Sequence, residues 1–270
     1  GNKQLGLLGV GWNLDLGSIQ ISLKKGVPKY DSSDTYEMSG VKLVYDAAAG
    51  YYRPEIEGSF SKIEKSGNYW VVTDKKGTKY YYGNTDDSRQ YDPANSSRIF
   101  KWSLNKVIDI FGNAMNVYYR KDSGQVYPDH IYYTALEGAN ASFLTSTTPG
   151  IVTFEYAATY MPSVSYLTGF EVKTALKLTG IKSSIAPNTV VSSYHFNYTP
   201  STATARDLLT SVSVNTEYGT FVPTITFTYN SNVKGFTQTS NWNTAYPDLT
   251  EILYSRYIDD SVRLMDLNAD

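Results

Sequence analysis

The sequence predicts an all-β fold of stacked antiparallel hairpins and twisted sheets. Three observations carry that prediction. Aromatic and β-branched runs alternate with short turns bearing glycine or asparagine, and 25 of the 270 residues are tyrosine. A strand–turn–strand unit recurs roughly every 20–40 residues. The 10 prolines are scattered through the connections, and helical spacing is almost absent.

Taken in order, the opening Leu5-Gly6-Leu7-Leu8-Gly9-Val10-Gly11-Trp12-Asn13-Leu14-Asp15-Leu16-Gly17-Ser18-Ile19 mixes glycines with large apolar residues. Gly9 and Gly11 lack the third glycine of a dinucleotide loop and no helix pattern follows, so they suit tight turns and close backbone packing. Ile19, Ile21 and Leu23 alternate as a strand that ends at a Lys24-Lys25-Gly26 turn. Residues 34–40 and 41–45 read as short strands, and 46–50 as a small-residue loop. The stretch 51–83 is the clearest hairpin. Asn68-Tyr69-Trp70-Val71-Val72-Thr73 and Thr78-Lys79-Tyr80-Tyr81-Tyr82 flank Asp74-Lys75-Lys76-Gly77, whose glycine can take the positive φ that closes a short loop. A polar loop is expected over 84–97, where a boundary between two sub-lobes would fall.

From there the repeat is explicit. Leu104-x-x-Val107 leads through Gly112-Asn113 into Met115-Asn116-Val117-Tyr118-Tyr119. Leu178-x-x-Ile181 leads through Pro187-Asn188 into Tyr194-His195-Phe196-Asn197-Tyr198. Leu209-x-x-Val212 leads through Tyr218-Gly219 into Ile225-Thr226-Phe227-Thr228-Tyr229. Phe60-x-x-Ile63 with Tyr80-Tyr81-Tyr82 fits the same outline, and Ile131-Tyr132-Tyr133 and Val152-Thr153-Phe154-Glu155-Tyr156 are shorter relatives. A lone hairpin is marginal in water, so recurrence implies that the units bury one another's faces. Residues 248–254 alone suggest a short helix.

Bulk properties narrow the function classes. A formal charge of −2 and a pI near 5.8 lack the basic face a nucleic-acid partner requires. The absence of cysteine removes disulfides, zinc–thiolate sites and thiol nucleophiles. No apolar run reaches the roughly 18–20 residues of a membrane span, and Gly1-Asn2-Lys3-Gln4 does not begin a signal peptide. The abrupt ends suggest a piece of a longer protein.

In collinear order, several stretches resemble the amino-terminal domain of the SpvB/TcB family, the B component of bacterial toxin complexes. They are residues 9–19, 34–40 and 51–83, then Arg98-Ile99-Phe100-Lys101-Trp102 with 109–119, and finally 208–214 and 223–229. The resemblance implies a secreted, non-enzymatic module, over 1–258, that precedes an integrin-like β-propeller and tyrosine–aspartate (RHS-type) repeats. Those repeats wind into a β shell around a toxic carboxy-terminal cargo. The implied partners are the propeller and RHS regions of the same chain and other toxin-complex subunits. Asp266-Leu267-Asn268-Ala269-Asp270 resembles the start of a propeller calcium loop, so 259–270 would open the next segment.

Candidate chemistry is sparse. Asp266, Asn268 and Asp270 have a spacing that turns alternate oxygens toward a hard cation, but calcium takes roughly six to eight oxygen ligands, so calcium is expected only in the full-length parent. Glu55-Ile56-Glu57 is an E-x-E string like that of the actin ADP-ribosyltransferases some SpvB-type proteins carry. There the string belongs to a separate carboxy-terminal domain behind an arginine and an S-T-S strand; here it comes early, and Thr145-Ser146-Thr147-Thr148 lies far downstream. Arg53, Glu55 and Glu57 therefore read as a solvated strand face. His130 and His195 sit in different units without metalloprotease spacing, and no G-x-S-x-G elbow exists. Asn95, Asn140 and Asn197 open sequons that a bacterial source leaves silent. No enzyme is expected. Trp12, Trp70, Tyr80, Tyr82 and Trp102 are expected to pack structurally, because they lie inside or beside alternating strands. The other functional class open to such a chain is an extracellular adhesion or glycan-binding module that uses exposed tyrosines.

Overall fold

Glycine and alternation between them set the first strands. Strand β1 (Leu5–Gly6) pairs with β2 (Gly9–Val10) in a two-residue hairpin, and Gly9 has φ 87°. In β3 (Ser18–Ile21) alternation buries Ile19 and Ile21 while Ser18 and Gln20 face away. The computed structural model describes residues 5–56, 58, 60–136, 150–185, 189–216 and 223–229. They fall in a unit spanning 1–230; a second unit, 231–270, lies outside the described residues, as do the expected helix at 248–254 and the expected boundary at 258.

The expected lysine turn is a 3-10 turn over Leu23–Lys25, with the Ser22 hydroxyl accepting from the Lys24 N–H. An antiparallel meander follows: β4 (Tyr36–Met38), β5 (Val41–Asp46), β6 (Tyr51–Pro54), β7 (Lys62–Ser66), β8 (Tyr69–Thr73) and β9 (Lys79–Tyr82). Then come β10 (Arg89–Asp92) and the 14-residue β11 (Asn95–Ile108). The stretch 84–97 thus contains one strand and starts another. Its polar composition hid them because β10 buries Gln90 and Asp92 where an apolar residue would normally mark a strand.

β11 closes the meander on itself. Residues 101–103 pair with β3, while β9 pairs with residues 104–108 and β10 runs on along that same edge. Strands β3 to β9 and β11 therefore form an eight-stranded barrel. That number encloses an interior just wide enough for side chains to fill. The filling is Ile19, Ile21, Leu43, Ile63, Trp70, Val72, Tyr82, Trp102 and Leu104. The remaining strands extend from the free edge of β11 as a second meander: β12 (Asn113–Asp122), β13 (Gln125–Leu136), β14 (Gly150–Ser165), β15 (Val172–Ile185), β16 (Thr189–Pro200), β17 (Asp207–Thr216) and β18 (Ile225–Thr226). The all-β, antiparallel-hairpin class expected from the sequence is the class observed.

The repeat has a physical basis that its outline did not reveal. In three units, the closing tyrosine of the sequence unit donates its hydroxyl to the carbonyl of the leucine that opens that unit. Tyr119 reaches Leu104 at 2.5 Å, Tyr198 reaches Leu178 at 2.5 Å, and Tyr229 reaches Leu209 at 2.6 Å. Each ring lies over its hairpin and ties the two strands at a fixed offset. In the first unit β8 lies between β7 and β9, so the sequence outline at 60–82 joins strands that do not pair.

The amino-terminal hairpin packs on the outer meander. The Leu178 N–H donates to the Leu7 carbonyl at 2.8 Å. A Cβ at Gly9 would sit 2.6 Å from the Asp207 carbonyl oxygen, so only glycine permits that approach. Beneath it, Asp207 is fully buried and its carboxylate bridges the Lys177 ammonium at 2.5 Å and the Tyr160 N–H at 3.1 Å. The Lys177 ammonium also lies 3.9 Å from the Tyr160 ring centroid, so the buried charges compensate each other.

Candidate functional site

Two places in the fold gather functional side chains: the aromatic interior of the barrel, and the space where barrel, amino-terminal segment and outer meander meet.

Alternation in β8 points Trp70 and Val72 inward, and alternation in β11 does the same for Trp102 and Leu104. Trp70 is 0% exposed and meets Tyr36, Tyr52 and Trp102 edge-to-face at ring-centroid distances of 4.8, 5.1 and 5.9 Å. The Trp102 indole N–H donates to the Asn68 carbonyl at 2.9 Å, whereas that of Trp70 has no hydrogen-bond partner. Lys65 covers the group from outside. Its ammonium is 4.5 Å from the Tyr36 centroid and 5.5 Å from those of Trp70 and Trp102, and it donates to the Tyr36 hydroxyl at 2.6 Å. Tyr82 closes the interior, and burial pushes its phenol up to about 12. Tyr80 is partly buried against the same core. Trp12 lies elsewhere: it is 41% exposed, tilts onto Phe227 at 4.8 Å, and donates to the Tyr229 hydroxyl at 3.2 Å. These side chains occupy the interior, and a smaller cavity of about 320 Å³ borders them at Ile21, Tyr36, Lys65, Ile99 and Trp102.

The second place is a cavity of about 620 Å³. Residues that face away from the barrel core line one wall, among them Gln20, Lys101 and Ser103. The segment 11–17 lines another, and β13, β14 and β15 contribute with Gln90, Tyr119, Leu167 and Thr168. Lys101 is the only cation of the lining and Asp15 the only anion. Burial lowers the Lys101 ammonium pKa, a shift that the Asp15 carboxylate partly opposes. No hydrogen bond or ion pair among the described residues engages that ammonium, and Lys101 is only partly exposed.

The residues singled out for chemistry are not brought together. Glu55 pairs with Lys42 at 2.6 Å and Arg53 with Asp46 at 3.1 Å, both on the exterior, while Glu57 lies outside the described residues. His130 Nδ1 is 2.7 Å from Asp129, and its ring stacks on Tyr118 at 4.6 Å. His195 Nε2 faces only the Ser193 hydroxyl, at 3.2 Å, from a different strand. Among the described residues no cluster of acids and histidines could hold a metal ion. Asp266, Asn268 and Asp270, with Asn140 and Thr145 to Thr148, lie outside the described residues. Asn95 spends its side chain on the Ser97 N–H and hydroxyl at the start of β11.

Sequence reasoning missed Lys101, Asp15, Lys177 and Asp207. A faint signal existed for both lysines, since each interrupts an apolar strand run: Phe100-Lys101-Trp102 and Leu176-Lys177-Leu178. A cation held inside such a run has a reason to be there.

A family model described as Salmonella virulence plasmid 65kDa B protein (SpvB) matches residues 1–166. The chain belongs to the SpvB family. It is 25% identical over 149 residues to the mono(ADP-ribosyl)transferase SpvB of Salmonella choleraesuis (strain SC-B67), a match covering 44% of this chain and 25% of that protein. The corresponding protein of Salmonella typhimurium is 24% identical over the same length. The match thus spans about a quarter of these SpvB relatives' length. Among solved structures, the N-terminal domain of effector protein SpvB from Salmonella typhimurium strain LT2 superposes with a TM-score of 0.68 at 18% identity, over 80% of this chain and 91% of that one. The Photorhabdus luminescens Tc holotoxin pore superposes with a TM-score of 0.67 at 19% identity, over 82% of this chain and 14% of that one. TcdB2-TccC3-Cdc42 gives 0.66 with the same coverage. These likenesses show that the SpvB N-terminal fold recurs inside Tc assemblies, in agreement with the resemblance read from the motifs.

Proposed function

We propose that this chain is a non-enzymatic wall module of a bacterial toxin-complex B or related RHS-type protein, forming part of a β shell that encloses a toxic carboxy-terminal cargo. The observation that carries the reading is an eight-stranded barrel whose interior is occupied by its own aromatic and aliphatic side chains and which is continued by a long antiparallel meander. A filled barrel resists deformation. The likeness to an SpvB N-terminal domain and to Tc assemblies supports the toxin-complex setting. In this reading the module joins a neighbouring β-propeller and RHS repeats of the same chain, contacts other toxin-complex subunits, works outside the producing bacterium, and leaves calcium to a loop begun by Asp266, Asn268 and Asp270. The E-x-E at Glu55 and Glu57 takes no part in catalysis.

Limited proteolysis of the full-length parent tests this. The cargo is protected in the intact protein and is degraded once residues 1–230 are deleted; equal protection in both proteins would sink the reading. The isolated chain shows no NAD hydrolysis, and activity abolished by Glu57→Gln would restore an enzymatic role.

A further inference from the structure

We propose that the cavity between the barrel and the outer meander binds a small polyhydroxylated carboxylate, of the sugar-acid class, with Lys101 as the residue that holds the carboxylate. Lys101 is anchored in a strand whose neighbours Phe100 and Trp102 are buried, so its backbone cannot move to carry the ammonium into bulk water. It is the only positive charge on the lining of a cavity of about 620 Å³, which is ample for a monosaccharide acid. An ammonium kept inside a fold with no hydrogen-bond partner among the described residues is a standing desolvation cost that an entering anion would relieve.

The rest of the lining selects among anions. The Gln20 amide nitrogen is committed to Glu37 at 2.8 Å, and that of Gln90 to the Gly124 carbonyl at 2.9 Å and Gln125 at 3.1 Å. The amide oxygens of Gln20 and Gln90 accept no hydrogen bond from the described residues. Asp15 receives only the Gly17 N–H, at 2.9 Å. What remains around the one cation is these acceptor oxygens, together with Ser163 and Ser165 hydroxyls that can donate or accept. Acceptors call for hydroxyl donors, which a sugar acid supplies and fully ionised phosphate or sulfate largely lacks. Phe100, Val172 and Trp12 offer apolar surface for a ring face.

Titration of the whole chain with D-glucuronate, followed by amide NMR shifts, tests the proposal; D-glucose and inorganic phosphate are the comparison probes. Glucuronate shifts residues around Gln20, Lys101 and Thr174 saturably, while glucose and phosphate bind at least tenfold more weakly. Lys101→Met weakens glucuronate binding at least tenfold, and Lys101→Arg keeps it within about threefold. Should Lys101→Met fail to fold, Lys101→Arg and the glucose comparison still decide. No saturable glucuronate binding, equal binding of phosphate or glucose, or unchanged binding in a folded Lys101→Met would overturn the proposal.

Discussion

Trp70 is the most instructive place to cut this fold. Its side chain is fully buried and touches three rings edge-to-face, so Trp70→Ala removes transfer free energy and leaves a cavity that the rigid barrel closes only in part. Truncations of this type cost about 3–5 kcal/mol. The three ring contacts push the value up, while loss of an indole N–H that has no partner returns about 1 kcal/mol. The expected loss is therefore roughly 3–4 kcal/mol, or about 6–16 °C in Tm for a unit of this size. Trp70→Phe separates the contributions. It keeps an aromatic ring among Tyr36, Tyr52 and Trp102 and discards the unpartnered N–H, so about 1 kcal/mol is expected. Urea unfolding with a constant m-value reads both variants. A Trp70→Ala loss below about 1 kcal/mol, or a Trp70→Phe loss equal to it, would refute the account of a filled barrel.

Three further predictions follow from the outer meander and the tyrosines. Tyr198→Phe strands the Leu178 carbonyl and costs about 1–2 kcal/mol in thermal unfolding, whereas Tyr45→Phe, on an exposed ring, costs a few tenths. Asp207→Ala leaves the Lys177 ammonium buried without its anion and costs about 3–5 kcal/mol, while adding Lys177→Met recovers part of the loss, a coupling that a double-mutant cycle measures. The third concerns alkaline stability. Burial raises the phenols of Tyr82, Tyr119, Tyr156 and Tyr198 above their unfolded value, Tyr82 to about 12. The folded state thus holds protons the unfolded chain releases, so this stability is complete below pH 10 and is lost as pH rises through 10 to 12. Tyr82 alone contributes about 2–3 kcal/mol to that loss. Phenolate absorbance should then rise together with loss of tertiary signal; buried tyrosines titrating freely without unfolding would contradict it.

Much of the local architecture was readable because strands announce themselves through period two. Ile19 and Ile21, and Trp70 and Val72, sit where alternation placed them. Turn chemistry was equally plain at Gly77, whose φ is +86°. Ring closure was not readable. The pairing of Trp102 with Ile19 joins strands some 80 residues apart, and its register is fixed by which side chains fit the interior, a property no single strand carries. The buried ion pair of the outer meander was hidden for a similar reason. Lys177 reaches across to Asp207, 30 residues further along, and nothing local to either names the other. Strand β10 escaped notice because it buries Gln90 and Asp92, whose hydrogen bonds to Gly124, Gln125 and Ala94 hold them inside the protein.

β11 shows why barrel, cavity and outer meander stand or fall together. Trp102 and Leu104 point into the barrel, opposite Ile19 and Tyr82; Lys101 and Ser103 point out into the cavity, beside Gln20. A slip of one residue would exchange the two sets, driving an ammonium into an aromatic core and an indole into a polar space. Gly83 guards that register. Its φ is +69°, and a Cβ there would stand 2.3 Å from the Trp102 ring, so Trp102 can take its inward place only beside a glycine. Just beyond, the Leu104 carbonyl accepts the Tyr119 hydroxyl and so ties the first outer strand to the same register. The inward packing of Trp102 thus dictates that Lys101 faces the cavity. The charge on which ligand binding depends is held in place by the hydrophobic core, which makes its position a consequence of folding and independent of any ligand.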